Sequence, residues 1–256
     1  MPVGLKASVT VVALTAEARM TVDDAKVKLK HHLWIDWSWI ATDQIRLAGD
    51  ARARALILAD AGQNWASEAA GEARASMIAI SACAHAIDAI YGGLKSAVGV
   101  QKPGVGASRH AYIRTAVVSA YRGGNGLYKQ LKDDFAWLFE LRDSAVHPDA
   151  ELSPAVPHPV AGDGSREAAW YCLENARRAS RVLLELLALV ADPTSARSDE
   201  ARAYGDGVRG GLEALLPVLR LAAYGPVMPG QAVAVQQGST AAALASDGSS
   251  RPSSAV

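Results

Sequence analysis

Arg142 and His147 are the two side chains in this 256-residue chain whose types and spacing invite chemistry. They stand in LFELRDSAVHP, residues 138 to 148, with Asp143 after the arginine and Pro148 after the histidine. On a helix at 100° per residue, Leu127, Leu131, Phe135, Leu138 and Ala145 fall within an arc of about 80°. Arg142 lands inside that arc, where the pattern calls for another leucine. A guanidinium cannot neutralise itself and is costly to bury alone, so it must meet a carboxylate, a water-filled cleft or a bound anion. One reading is a buried ion pair that only fixes helix register; the other is an anion-binding group.

His147 adds a second function to the stretch. Five residues along a continuing helix would set it about 140° from Arg142. Pro148 opposes that continuation, because the residue before a proline is driven out of the α region. The helix should therefore end near Val146 and leave His147 free to swing beside Arg142. A helix C-terminus also favours an imidazolium. An arginine and a tunable histidine at one cavity are what phosphodiester cleavage needs: one binds phosphate, the other moves protons.

Arg142-Asp143-Ser144-Ala145-Val146-His147 resembles the R-x4-H signature of HEPN domains, including the polar residue that commonly follows the arginine. It stands at the end of the third main helix of a helical chain, with another bundle helix after it, and the resemblance covers residues 23 to 192. It implies an antiparallel, up-down four-helix bundle that dimerises with two motifs facing each other. In active members it also implies metal-independent RNA cleavage by the ribose 2′-OH, leaving a cyclic phosphate. By that resemblance Arg142 would hold the scissile phosphate, His147 would act as general acid or base, and Asp143 would orient one of them. HEPN toxins controlled by a nucleotidyltransferase antitoxin carry a tyrosine two residues after the histidine; here that position is Asp149.

Helical periodicity runs through nearly the whole chain. The spacing predicts helices over 23–58, 64–96, 109–121, 127–146, 166–192 and 198–222, with Gly92–Gly93 as a frayed or kinked step in the second. In the first, LWIDWSWI places Trp37 on the core stripe with Leu33 and Ile40, and leaves Trp34 and Trp39 to other faces and a subunit contact. The connection 148–165, rich in proline, has the length of a functional or mobile loop. SVTVVAL (8–14) is the one strand-like stretch, and one strand makes no sheet. The reading is an all-α fold: an N-terminal segment (1–22), a helical bundle domain (23–224) with an added C-terminal helix, and a disordered tail (225–256) lacking any period.

Around the motif, Arg109, Arg114, Arg122, Lys129 and Lys132 occur within 109–132 without an acidic residue, interleaved with Tyr112, Tyr121 and Tyr128. Basic side chains with exposed rings suit single-stranded RNA, Tyr128 serving as a stacking platform; a solvated face with half-buried tyrosines is the simpler alternative. His85, Asp88 and Glu72 on the second helix are candidate partners for Arg142 across the bundle. Asp133 and Asp134 fall opposite or beside the core stripe and form no acid/base pair.

Formal net charge is zero, so no global field draws the chain to nucleic acid or membrane, and any anion must be held by a local patch. KVKLKHH (26–32) is a poor metal site, because adjacent histidines point to different faces. KPGVGAS and RGGNG follow no strand and lack G-K-[ST], so they are not phosphate loops. Cys83 and Cys172, far apart, suit a reducing compartment. No secretory signal pattern or uninterrupted membrane-length apolar run is present, and the expected location is the cytoplasm. Neither a metal nor another cofactor is expected. The expected partners are single-stranded RNA, a second copy of the chain, and an antitoxin or regulatory protein. A bundle that binds nucleotide or RNA without cutting it, and a purely structural helical protein, are the rival functions.

Overall fold

A computed structural model describes residues 22–99, 106–146, 156–158, 162–164 and 166–225, with side chains over 33–99, 106–146 and 168–225. SVTVVAL, the side chains of KVKLKHH, His147, Asp149 and the tail from 226 lie outside the described residues. The chain is all-α in character. Its helices are α1 (Val22–Asp60), α2 (Ala66–Val98), α3 (Arg109–Ala120), α4 (Asn125–Val146), α5 (Arg166–Trp170), α6 (Leu173–Ala191) and α7 (Asp199–Tyr224).

α1 and α2 form a long antiparallel hairpin. Arg54 bonds Glu68, Arg52 bonds Glu72, and Trp37 stacks on His85, so residues further up one helix meet residues further down the other. The buried positions of α1 are Trp34, Ser38, Ala41, Thr42, Ile45, Ala48, Ala51, Arg52 and Ala55. The core tryptophan is therefore Trp34, while Leu33, Trp39 and Ile40 are exposed and Trp37 is half-buried. The helix is turned slightly from the expected phase. Its buried stripe includes Ser38, whose hydroxyl is spent on the Trp34 carbonyl at 2.6 Å, and Arg52, which is paired with glutamates.

α2 is the central helix, packed by α1, α3, α4, α6 and α7. Ile80, Cys83, Ala84, Ile87, Ile90, Tyr91 and Leu94 are all buried on it. It is also the one helix among the described residues long and apolar enough to cross a membrane, with a mean hydropathy of 1.4 over its best window. Isoleucines and alanines together produce that value, and most of the window is buried inside the protein. No break occurs at Gly92–Gly93. The absent side chain of Gly93 instead admits the Tyr204 ring, whose hydroxyl donates to the Ile90 carbonyl at 2.8 Å.

α6 buries Leu173, Ala176, Ser180, Leu183, Leu187 and Val190, as its spacing predicts. Each fully buried leucine contributes roughly 1.5–3 kcal/mol. The helix expected over 166–192 is interrupted at Tyr171–Cys172, where the Tyr171 hydroxyl donates to the Leu141 carbonyl at 3.0 Å and pins α4 to the break. α7 is not an addition to the bundle but one of its walls. Its Gly205 backbone lies directly on the Val190 carbonyl, and Gly211 accommodates the Trp34 indole. Two three-residue strands, β1 (Val156–His158) and β2 (Gly162–Gly164), pair antiparallel within the stretch expected to be loop. Strands this short are below what a period-two pattern can reveal.

Candidate functional site

α4 delivers Arg142 to the rim of the bundle rather than to its centre. The side chain retains 18% of its exposure and lies over the Phe139 ring, 4.6 Å from the centroid. Nη1 donates to Asp88 of α2 at 3.3 Å, and Nε and Nη2 donate to Asp143 at 3.0 and 2.6 Å. Among the described residues three of the five guanidinium N–H groups are thus engaged, leaving two. Of the three candidate partners, Asp88 is the one that bonds Arg142. Glu72 is committed elsewhere: it accepts from Arg52 and from the Leu173 backbone N–H.

Asp88 holds a second arginine. Arg109, first residue of α3, donates to it through Nε at 2.7 Å and stacks over Tyr91 at 4.7 Å. Two guanidiniums from α3 and α4 are therefore gathered by one carboxylate of α2. Beside them opens a groove of about 520 Å³ lined by Ser108, Arg109, His110, Ala136, Phe139, Glu140, Asp143 and Ser144. Ser108 Oγ lies 2.9 Å from His110 Nε2 within it.

His85 stands one turn before Asp88 on α2, its ring stacked on Trp37 at 4.7 Å. Burial lowers its pKa and the Arg142 charge lowers it further, while Asp88 opposes the shift. His85 reaches solvent and faces the α1 side of the Arg142–Asp88 pair. His147 is the residue after the last described position of α4, so its distance to Arg142 lies outside the described residues.

The basic set divides. Arg109 belongs to the site. Lys132 is exposed and, by helical phase, falls within about 60° of arc with Ala136, Phe139 and Asp143 on the groove side of α4. Lys129 is also exposed; neither lysine has a side-chain partner among the described residues. Arg114 is half-buried, and Arg122 is exposed at the α3–α4 turn, where its backbone N–H donates to the Ser195 carbonyl at 2.5 Å.

Tyr128 is half-buried, and its hydroxyl is engaged. Its hydroxyl accepts from Gly123 N and donates to the Tyr121 carbonyl, both at 2.6 Å, which ties the turn before α4. Tyr121 is fully buried, and burial pushes its phenol well above the usual range. Tyr112 packs against the core. Of the three interleaved tyrosines only Tyr121 is fully buried; Tyr112 and Tyr128 are half-buried.

A second polar cluster joins α4 and α6. Asp134, expected away from the core, is buried and accepts from Arg178 at 2.7 Å. Glu185 lies nearby with its carboxyl held above the ordinary range, first by burial and then by the Asp134 charge. Both cysteines are buried free thiols; burial pushes Cys83 up to about 12. Among the described residues no three His, Cys, Asp or Glu side chains stand close enough to hold a metal ion.

No family profile, curated relative or solved structure matches the chain. What the arrangement can do must therefore be judged from its chemistry. Two clustered guanidiniums beside the groove can hold a phosphodiester, and the His110 imidazole in its lining can exchange protons with it.

Proposed function

We propose that the chain is a HEPN-like endoribonuclease that cleaves RNA without a metal ion, acting in the cytoplasm in bacterial defence or stress. The supporting observation is Arg142: a largely enclosed guanidinium with two N–H groups unspent among the described residues, next to Arg109 at the edge of an open groove. In this reading Arg142 binds the scissile phosphate and stabilises its developing negative charge. The ribose 2′ oxygen attacks phosphorus, the bond to the 5′ oxygen breaks, and a cyclic phosphate remains. His147 supplies or accepts a proton in that exchange. Asp143, two of whose hydrogen bonds go to Arg142, orients the guanidinium. Lys129, Lys132, Arg114 and Arg122 guide the strand by its phosphates. A second copy of the chain completes the assembly, with the exposed Leu33, Trp39 and Ile40 of α1 available for contact, and a partner protein restrains the activity.

The three bonds that Asp88 and Asp143 make to Arg142 favour a second reading, in which the arginine is only a structural pin. A cleavage assay in EDTA separates the two. Wild type, Arg142→Ala and His147→Ala are given labelled single-stranded RNA. Cleavage by wild type alone, with cyclic phosphate ends, supports the nuclease. Equal cleavage by all three removes both residues from the mechanism, and an inactive wild type with RNA-dependent stabilisation points to a binding module.

A further inference from the structure

A second cavity opens between α4 and α6, and neither Arg142 nor Arg109 lines it. Its volume is about 300 Å³, at the lower end for small-molecule sites, and its lining is Gln130, Asp134, Arg178, Arg181, Val182 and Glu185. Gln130 and Asp134 are four residues apart on α4, and Arg181, Val182 and Glu185 lie three, four and seven positions on from Arg178, so each helix gives the cavity one face. Arg181 and Glu185 are opposite charges at i, i+4, a spacing at which such side chains ordinarily meet. Here each is bonded outward instead. Arg181 Nη1 donates to the Ala223 carbonyl near the end of α7, and Gln130 Nε2 donates to Glu185 Oε2, both at 2.9 Å. Among the described residues the ion pair of the lining is Arg178 with Asp134, at 2.7 Å, and that guanidinium lies 4.0 Å over the Trp137 ring.

These bonds leave capacity of both signs. Among the described residues Asp134 and Glu185 each keep one carboxylate oxygen for a further donor, and Arg181 keeps four of its five N–H groups for an acceptor. Burial, and after it the Asp134 charge, holds the Glu185 carboxyl above its usual range, so the two acids lie close enough to repel. A ligand of a single sign meets a like charge in this cavity. An ammonium alone would stand beside Arg181, and a carboxylate alone would face Asp134 and Glu185. We propose that the cavity binds a small zwitterion of the α-amino-acid type, with its ammonium between Asp134 and Glu185, its carboxylate on Arg181 and its aliphatic part against Val182. Trp137, the Ala223 carbonyl and Gln130 already fix the charged side chains, so little further ordering opposes binding. The site shares no residue with the Arg142 cluster and goes beyond the ribonuclease reading.

The test uses the full chain in thermal melts while L-alanine, L-glutamine and L-leucine are each titrated to tens of millimolar. Ethylamine and propionate, which each carry one half of the charge pattern, are the comparison probes, all at one ionic strength. At least one of the amino acids should raise Tm saturably, and neither ethylamine nor propionate should do so at the same concentration. Arg181→Gln and Glu185→Gln should each weaken that binding by about tenfold or more, the effect of losing a hydrogen bond to a charged group. Glu185→Gln keeps the size of the side chain while removing its charge, and it serves if Arg181→Gln does not fold. No saturable rise with any of these amino acids would overturn the proposal. Equal protection by ethylamine or propionate would overturn it too, as would variants that bind as tightly as wild type. None of these measurements involves RNA, so the ribonuclease reading stands or falls separately.

Discussion

Replacing Arg142 with alanine separates a phosphate-binding arginine from a structural one, because the two roles predict effects of different size in different assays. The stability cost follows from what each partner has left. Asp88 keeps Arg109 at 2.7 Å, so its carboxylate is not orphaned. Asp143 is 59% exposed and returns to water. The lost ion pairs are therefore worth about 0.2–1 kcal/mol, as for other accessible pairs. Losing the contact with the Phe139 ring adds about 0.5–1 kcal/mol. The sum, about 1–2 kcal/mol, is well below the 3–5 kcal/mol expected when a buried charge loses its only partner. A domain with about 5–15 kcal/mol of stability remains folded. The catalytic cost is larger. Removing one preorganised donor to a developing oxyanion typically lowers kcat by about 10²–10³, and Arg142 has two N–H groups to offer. With Arg109 remaining, we expect about a 10³-fold loss, or about 4 kcal/mol at 1.36 kcal/mol per tenfold. The measurements are urea denaturation and cleavage of a fluorogenic RNA in EDTA. A fall in stability beyond about 3 kcal/mol with cleavage nearly intact would refute the reasoning and leave Arg142 as a pin.

Glu72→Ala should cost about 1.5–3 kcal/mol in urea denaturation, since it strips the enclosed Arg52 of its two shortest bonds and leaves the Leu173 N–H unpaired, while Glu174 keeps Arg52 from being orphaned; a loss under 1 kcal/mol would contradict this. Tyr128→Phe should lower stability by about 1–2 kcal/mol while leaving RNA affinity unchanged, because the hydroxyl serves the turn. Unchanged stability in urea denaturation would contradict that role of the hydroxyl; RNA affinity does not depend on it, since phenylalanine keeps the ring. For Glu185, a carboxyl raised in the folded state means that folding favours the neutral acid, so ionisation destabilises the fold. Wild-type stability contributed by this group therefore rises as pH falls through the raised pKa. Glu185→Gln should be more stable than wild type at pH 7, with the advantage shrinking near the ordinary value of 4.5. Thermal melts showing the difference growing toward low pH would disprove it.

The helices were legible because long three- and four-residue repeats survive any error in their ends. The stripes read on α2, α6 and α7 are buried, although α2 and α6 bury further positions beside them and Ala169, at the head of the stripe read over 166–192, is only half-buried. α1 was legible in part: Ala41, Ile45 and Ala48 are buried as its spacing predicts, but Leu33 and Ile40 are exposed, since the buried stripe also carries Ser38 and Arg52, which a hydropathy pattern counts as solvent-facing. Their burial depends on a main-chain carbonyl and on glutamates of α2 and α6, and sequence does not display partners that lie 20 and 122 residues away. The oddity of Arg142 was readable from its own helix; the choice of Asp88 over Glu72 was not, because it depends on the register in which α2 crosses α4. His110 gave no signal. A lone histidine at a helix start has no period, and its groove exists only where the first turn of α3 meets the second half of α4.

The two aspartates on Arg142 are not equivalent, and the difference bears on how an anion could be bound. Asp88 is the better enclosed, with 21% exposure, and is shared by Arg109, so it stays fixed and sets the position of both guanidiniums. Asp143 is mostly exposed and occupies the Nε–Nη2 edge, the edge that a phosphate also takes in a paired arrangement. A phosphate can therefore bind by displacing Asp143 while Asp88 holds the arginine in place, and the displaced carboxylate is already largely solvated. With both aspartates in place the two arginines are formally neutralised, so static attraction for RNA is weak at the groove itself. Affinity must come from the accessible lysines along the strand, and the guanidiniums contribute most where charge develops on the phosphate. Under the proposed ribonuclease function, that division of labour predicts that changes at Lys129 and Lys132 lower binding and changes at Arg142 lower rate.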